Sequence, residues 1–168
     1  MRLVGYLAVG EAGMRFNLPD DADQIRAADL LYLPPAQFAR AEAALRDEYI
    51  PFVPALVAEV VSRTDRPAEV AEKVADYLAG GARLVWLLDP TMRTVTVHSP
   101  DEEPRTISMG GFLDGGAVLP GFAVLLNDLF LSGQLADPVG RCGRGPAPAR
   151  PDYRSAGSGR TLPGQCLR

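Results

Sequence analysis

Hydrophobic and polar positions in the first fifty residues predict three strands and a helix. Apolar runs and apolar–polar alternation mark the strands, at residues 3–9, 14–18 and 29–33. A turn at residues 11–13 and a polar loop at 19–23 separate them. Pro34 and Pro35 end the third strand, and the Ala-, Glu- and Arg-rich residues 36–48 predict a helix.

The middle of the chain predicts two buried strands joined by a helix. Residues 56–61 and 83–88 are nearly continuous apolar runs, typical of strands covered on both faces. Residues 66–79 carry an apolar stripe at helical spacing, with Asp65 as the expected cap and Gly80-Gly81 as the stop. This spacing favours a right-handed crossover between parallel strands.

The following segment predicts antiparallel pairing. Residues 94–98 alternate as a half-exposed strand, and residues 105–109 can pair with them as a hairpin. A short strand and a helical turn over residues 126–131 complete the pattern. The expected fold class is a mixed α/β (α+β) sheet with one parallel βαβ crossover and antiparallel hairpins.

Composition separates residues 1–132, the body, from residues 133–168, the tail. The tail holds seven glycines, five prolines and six arginines but few large apolar side chains, so we expect it to be disordered. The body has a net charge of −8 and the tail one of +4, which together give the −4 of the chain. An acidic body argues against strong non-specific nucleic-acid binding but leaves room for a local basic groove.

Cysteine usage and hydropathy exclude several further classes. Cys142 and Cys166 both lie in the tail and form neither a metal-ligand cluster nor a useful disulfide staple. The sequence has neither an apolar run of about 18 residues, as a membrane span needs, nor the features of a signal peptide. We therefore expect a cytoplasmic protein without a membrane segment.

Two carboxylates interrupt the apolar strands. Glu59 lies within residues 56–61, where burial without a partner would cost on the order of several kcal/mol. Asp29 begins the strand at 29–33, on the same face as Leu31 and Leu33. A salt bridge or ordinary turn chemistry would account for each residue separately. Together, two carboxylates on neighbouring strands could hold one or two Mg²⁺ ions.

Lys73 is the only lysine of the chain, against 16 arginines. This usage suggests that a compact point charge is needed at the border of the helix's apolar stripe. The simpler interpretation is an i,i+4 ion pair with Glu69. His98, the only histidine, has no nucleophile motif near it, so a catalytic triad is not expected.

One block of the sequence resembles a known family. The block consists of Ala55–Ser62, Asp65-Arg66, Glu69–Lys73, Tyr77, Gly80 and Leu84–Pro90. It is similar to the bacterial putative restriction endonuclease family of Uma type, within the PD-(D/E)XK nuclease superfamily. Further agreement at Glu11–Phe16, Arg26–Asp29, Thr94–Val97 and Leu119–Phe122 extends the resemblance over residues 5 to about 131.

The resemblance implies a restriction-endonuclease-like core that cleaves DNA with Mg²⁺ or Mn²⁺. Asp29 and Glu59 would be the metal-binding motif residues. The motif's usual lysine position, two residues after Glu59, is Val61, but members of this family place the lysine on the following helix, where it would be Lys73. It would stabilise charge on the attacking water or the phosphate.

The chain also departs from the family. Family members usually have proline where this chain has Ala28, and they begin with a helix and an acidic residue ahead of the first strand, whereas this chain begins inside that strand. Core exposed in this way would favour a homodimer. The alternative function is a catalytically inactive or truncated relative that serves as a binding or assembly module. A third candidate is a hydrolase of smaller phosphoesters that uses the same metals.

Overall fold

The structure is a computed structural model that describes residues 5–19, 22–44 and 49–131. The elements in these ranges are, in chain order, β1 (Tyr6–Phe16), β2 (Gln24–Leu33), α1 (Pro35–Ala44), β3 (Leu56–Val60), α2 (Pro67–Ala79), β4 (Leu84–Asp89), β5 (Thr94–Ser99), β6 (Glu102–Ile107), β7 (Phe112–Gly115), β8 (Leu119–Leu125) and α3 (Leu126–Leu131). Among them, no helix has the length and apolar character that a membrane crossing requires. The tail, predicted to be disordered, lies outside the described residues.

Strands β1 to β6 form one sheet in which spatial order follows chain order. β3 and β4 pair in parallel across the α2 connection, whereas the other neighbouring pairs are antiparallel. β7 and β8 form a separate antiparallel pair. The predicted mixed sheet, with one parallel crossover and antiparallel hairpins, is confirmed.

Two hydrophobic clusters cover opposite faces of the six-stranded sheet, because side chains alternate along each strand. On one face, α2 contributes Val74 and Tyr77 to a cluster that includes Val57 and Val85. On the other face, Leu113 and the residues around it in β7 and β8 join a cluster that includes Leu56, Ala58 and Trp86. The helix-covered face is the one that carries the charged residues described below.

The amino-terminal strands differ from the prediction. Instead of two strands separated by a turn at residues 11–13, β1 is a single strand whose pairing with β2 shifts between Val9 and Ala12. Gly10, with φ of 87°, lies at this shift, because glycine adopts such a conformation without a steric penalty. β2 also begins at Gln24, five residues before the predicted start at Asp29.

Helix α2 begins and ends close to its predicted bounds, but its N-cap residue is not the predicted one. Arg66 occupies the N-cap position without a side-chain cap hydrogen bond, so the prediction that Asp65 caps the helix is wrong. The Asp65 carboxylate instead accepts the Ser62 N–H at 2.8 Å. At the other end, a Cβ on Gly80 would lie 2.4 Å from the Val53 side chain, so glycine permits the close packing of the helix end.

Candidate active site

Strand β3 places Glu59 on the face of the sheet that α2 covers. Alternation along the strand puts Glu59 on the same side as Val57, which lies in the cluster beneath α2. Glu59 stands beside Leu87 in the parallel β3–β4 ladder, one residue from the end of β3. It is 8% exposed and is the only charged residue that is buried in the described part of the chain. A carboxylate in this position needs partners to offset its desolvation.

Two side chains from α2 supply those partners. The Lys73 ammonium donates to Oε2 of Glu59 at 3.2 Å, and the Tyr77 hydroxyl donates to Oε1 at 2.5 Å. Residues 73 and 77 are four apart, so both project from the same side of the helix. Glu69, the alternative partner considered for Lys73, pairs with Arg66 at 3.3 Å. Both oxygens of Glu59 are therefore hydrogen-bonded.

Tyr77 makes a polar contact at the site that no pattern in the sequence predicted. Its side chain is fully buried, and its hydroxyl also lies 3.1 Å from the Ala27 carbonyl oxygen. Burial, and next the hydrogen bond to Glu59, raise the pKa of the Tyr77 hydroxyl well above its usual range, with a smaller effect from the charge of Asp29. The phenol therefore keeps its proton and acts as a donor to Glu59. The available signal was its four-residue spacing from Lys73.

Asp29 lies next to Glu59 across the β2–β3 ladder. Leu30 is paired with Ala58, and one further step in this register places Asp29 opposite Glu59. Residues opposite each other in an antiparallel pair project from the same face, about 5 Å apart at Cβ. Oδ2 of Asp29 accepts the main-chain N–H of Val60 at 2.8 Å. The structure thus brings Asp29 to the backbone directly after Glu59, while Lys73 approaches Glu59 from the helix.

A charged cluster fixes α2 over β2. Asp76 Oδ2 accepts hydrogen bonds from Arg26 Nε at 2.8 Å and from the Nη2 of the same side chain. Glu72 accepts from Arg26 Nη2 at 2.9 Å, and Gln24 donates to Asp76 at 3.1 Å. Residues 72 and 76 are each one position before Lys73 and Tyr77, so the cluster also sets the rotation of the helix. No pattern in the sequence indicated this cluster.

A cleft of about 130 Å³ opens beside Glu59, between the end of β3 and the start of α2. Its charged lining consists of Glu59, Asp65, Glu69 and Lys73. Hydrogen bonds from the backbone and side chain of Ser62 lower the pKa of Asp65, and the charge of Lys73 lowers it further, so Asp65 stays ionised at neutral pH. Three carboxylates and one ammonium give the cleft a negative potential, which attracts cations.

The residues around this cleft fit a hard divalent cation. Carboxylate oxygens are the ligands that Mg²⁺ prefers, and it usually binds through one or two of them while it keeps several waters. Glu59 lines the cleft, and the strand register places Asp29 beside it as a second carboxylate. Within the described ranges, no group of three or more histidine, cysteine, aspartate or glutamate side chains could hold a metal. The donor set is therefore unlike a zinc centre, which needs three or four protein ligands.

Comparisons with known proteins give a similar fold and a family. A protein from Anabaena variabilis ATCC 29413, described as a putative nuclease belonging to DUF820 and known from a crystal structure, has a similar fold: its TM-score is 0.65 at 19% identity, covering 76% of this chain and 69% of that one. None of the curated proteins matches the chain. The family model described as Uma2, putative restriction endonuclease, matches residues 2–129, which include every residue of the site. This protein therefore belongs to the Uma2 family of putative restriction endonucleases.

Proposed function

We propose that this protein is an endonuclease of the PD-(D/E)XK type that hydrolyses DNA phosphodiester bonds with Mg²⁺ or Mn²⁺. The observation that carries the proposal is the buried carboxylate of Glu59, held 3.2 Å from the only lysine of the chain at the wall of an acidic cleft. Membership of a restriction endonuclease family supports the reaction class.

Asp29 and Glu59 would be the protein ligands of the metal. A divalent cation held there would supply Lewis-acid chemistry for phosphodiester hydrolysis. The N–H of Val60 fixes one oxygen of Asp29, and Tyr77 fixes one oxygen of Glu59. Both carboxylates are therefore oriented before a cation binds, which reduces the entropy lost on binding.

Lys73 would stabilise negative charge at the reacting phosphate. Its side chain is 39% exposed while that of Glu59 is 11% exposed, so the ammonium lies at the boundary between the buried carboxylate and the cleft. A flexible stem with a compact charge can turn from Glu59 towards a bound phosphate. Val61, which occupies the strand position usual for the motif lysine, also lines the cleft but carries no charge.

Nicking of supercoiled plasmid tests the proposal. Wild type should nick DNA with Mg²⁺ or Mn²⁺, and Glu59→Ala and Lys73→Ala should both lose the activity at equal purity. Glu103→Ala removes an exposed carboxylate from β6 and is the matched control, with activity expected to match wild type. Equal cleavage by wild type and both site variants would show that the activity does not come from this site.

A second candidate is a catalytically silent binding or assembly module. The net charge of −8 over residues 1–132 favours it, because an acidic surface repels the DNA backbone. Folded wild-type protein that shows no metal-dependent cleavage would support this candidate over the nuclease.

A further inference from the structure

The two oxygens of Glu59 have different surroundings. Oε2 faces Lys73, whose side chain is 39% exposed and can move into the cleft. Oε1 faces the hydroxyl of Tyr77, which is fully buried and 2.5 Å away. The carboxylate therefore has one oxygen that a cation can reach and one that a buried donor occupies.

Tyr77 cannot easily give up this position. Its hydroxyl is also within hydrogen-bond distance of the Ala27 carbonyl, 3.1 Å away on β2. The helix that carries it is tied to β2 by the hydrogen bonds between Arg26 and Asp76. The donor to Oε1 is thus permanent, whereas the donor to Oε2 is replaceable.

The number of available oxygens matters for the choice of cation. Ca²⁺ takes six to eight oxygen ligands and often binds both oxygens of one carboxylate, whereas Mg²⁺ requires near-octahedral geometry with fewer protein ligands. We propose that Tyr77 is a specificity-determining residue that restricts Glu59 to one metal bond and so favours Mg²⁺ or Mn²⁺ over Ca²⁺. This inference rests on the proposed metal site.

Isothermal titration of Mg²⁺, Mn²⁺ and Ca²⁺ into wild type and Tyr77→Phe tests the inference. The phenylalanine keeps the ring and removes the donor, so Ca²⁺ affinity should rise relative to Mn²⁺ by about tenfold, equivalent to about 1.4 kcal/mol. General damage to the fold would weaken the binding of all cations without changing their ratio. Tyr32→Phe makes the same chemical change at a buried tyrosine on the opposite face and should leave the ratio unchanged.

The outcomes distinguish the role of Tyr77 from the proposed nuclease function. An unchanged ratio in folded Tyr77→Phe, with metal binding and cleavage intact in wild type, would overturn the role of Tyr77 but leave the nuclease in place. Wild type that binds none of the three cations would overturn both. If Tyr77→Phe fails to fold, the wild-type ratio still decides, because Ca²⁺ binding as tight as that of Mn²⁺ contradicts the inference.

Discussion

Replacing Lys73 with methionine tests the ion pair at the centre of the site. The substitution removes the positive charge that faces Glu59 and keeps an unbranched side chain of similar length. Oε2 of Glu59 then loses its donor, although the Glu59 side chain is only 11% exposed in wild type. Because a buried charge without a partner is costly, we expect the variant to unfold more easily at neutral pH.

The magnitude follows from the geometry. Breaking a fully buried ion pair costs about 3–5 kcal/mol, whereas an exposed pair contributes about 0–1 kcal/mol. The pair here lies between these limits, because the Lys73 side chain is 39% exposed and Tyr77 still satisfies Oε1. We therefore expect the free energy of unfolding to fall by about 1–2 kcal/mol. Arg66→Met, which breaks an exposed pair between the N-cap residue and the first turn of the same helix, should cost less.

A divalent cation should reverse much of this loss. In wild type, a cation must compete with Lys73 for Oε2, and in Lys73→Met this competition is removed. Since a ligand that binds only the folded state stabilises it, Mn²⁺ should stabilise the variant more than wild type. Urea unfolding followed by circular dichroism, with and without Mn²⁺, measures both effects. The variant should bind metal and still fail to nick plasmid.

The proposed role of the Lys73 ammonium is refuted if Lys73→Met unfolds at the same urea concentration as wild type and Mn²⁺ raises the midpoints of both proteins equally. In that case the ammonium contributes nothing to the burial of Glu59 and does not compete for the metal. A loss of stability that Mn²⁺ does not restore would confirm that the ion pair stabilises wild type but would contradict a cation site at Oε2.

Three further predictions concern pH and DNA binding. Because the pKa of Tyr77 is raised in the folded protein, its contribution to stability is complete below the unfolded pKa of about 10 and is lost at higher pH. The free energy of unfolding of wild type should therefore fall between about pH 9 and 11. In Tyr77→Phe this fall should be smaller by up to about 1.4 kcal/mol per pH unit, as measured by urea unfolding. Burial lowers the pKa of His98, so its contribution to stability is present above about pH 6.5 and is lost as pH falls through the lower folded pKa. His98→Gln should therefore lose less stability at acid pH than wild type, and NMR titration of the only histidine would give its folded pKa. Arg63 is exposed in the loop between β3 and α2, and Arg63→Ala should reduce the salt dependence of DNA binding by about one counterion, as measured by fluorescence anisotropy across salt concentrations.

The sequence predicted the central part of the fold because local and tertiary signals agree there. Residues 56–89 combine apolar strands, a helical stripe and glycine stops, and the structure forms β3, α2 and β4 with bounds close to those predicted. The first strand was harder, because Gly10 at positive φ produces a shift in pairing where the pattern suggested a turn. A glycine in an apolar run is compatible with either outcome, and only pairing with β2 decides between them.

The candidate site also depends on contacts between elements that local patterns do not predict. A carboxylate within an apolar run and a single lysine stand out in composition, so Glu59 and Lys73 were candidates from the residues alone, and the structure places them in contact. Their catalytic roles stay predictions. Tyr77 and Arg26 did not stand out, since a tyrosine within an amphipathic helix and an arginine ahead of a predicted strand are ordinary. Their partners depend on how α2 lies over β2, which no local pattern encodes.

Carrying the lysine on α2 makes the site depend on helix docking. A lysine at position 61 would be placed by β3 itself, whereas Lys73 reaches Glu59 only when the helix has the correct rotation over the sheet. The hydrogen bonds between Arg26 and Asp76 set that rotation from one side, and Tyr77 sets it from the other through Glu59 and Ala27. The same contacts that hold the helix therefore orient the carboxylate, so the stability of the fold and the geometry of the proposed metal site depend on the same residues. Substitutions within this group should consequently be non-additive, because each residue positions the partners of the next.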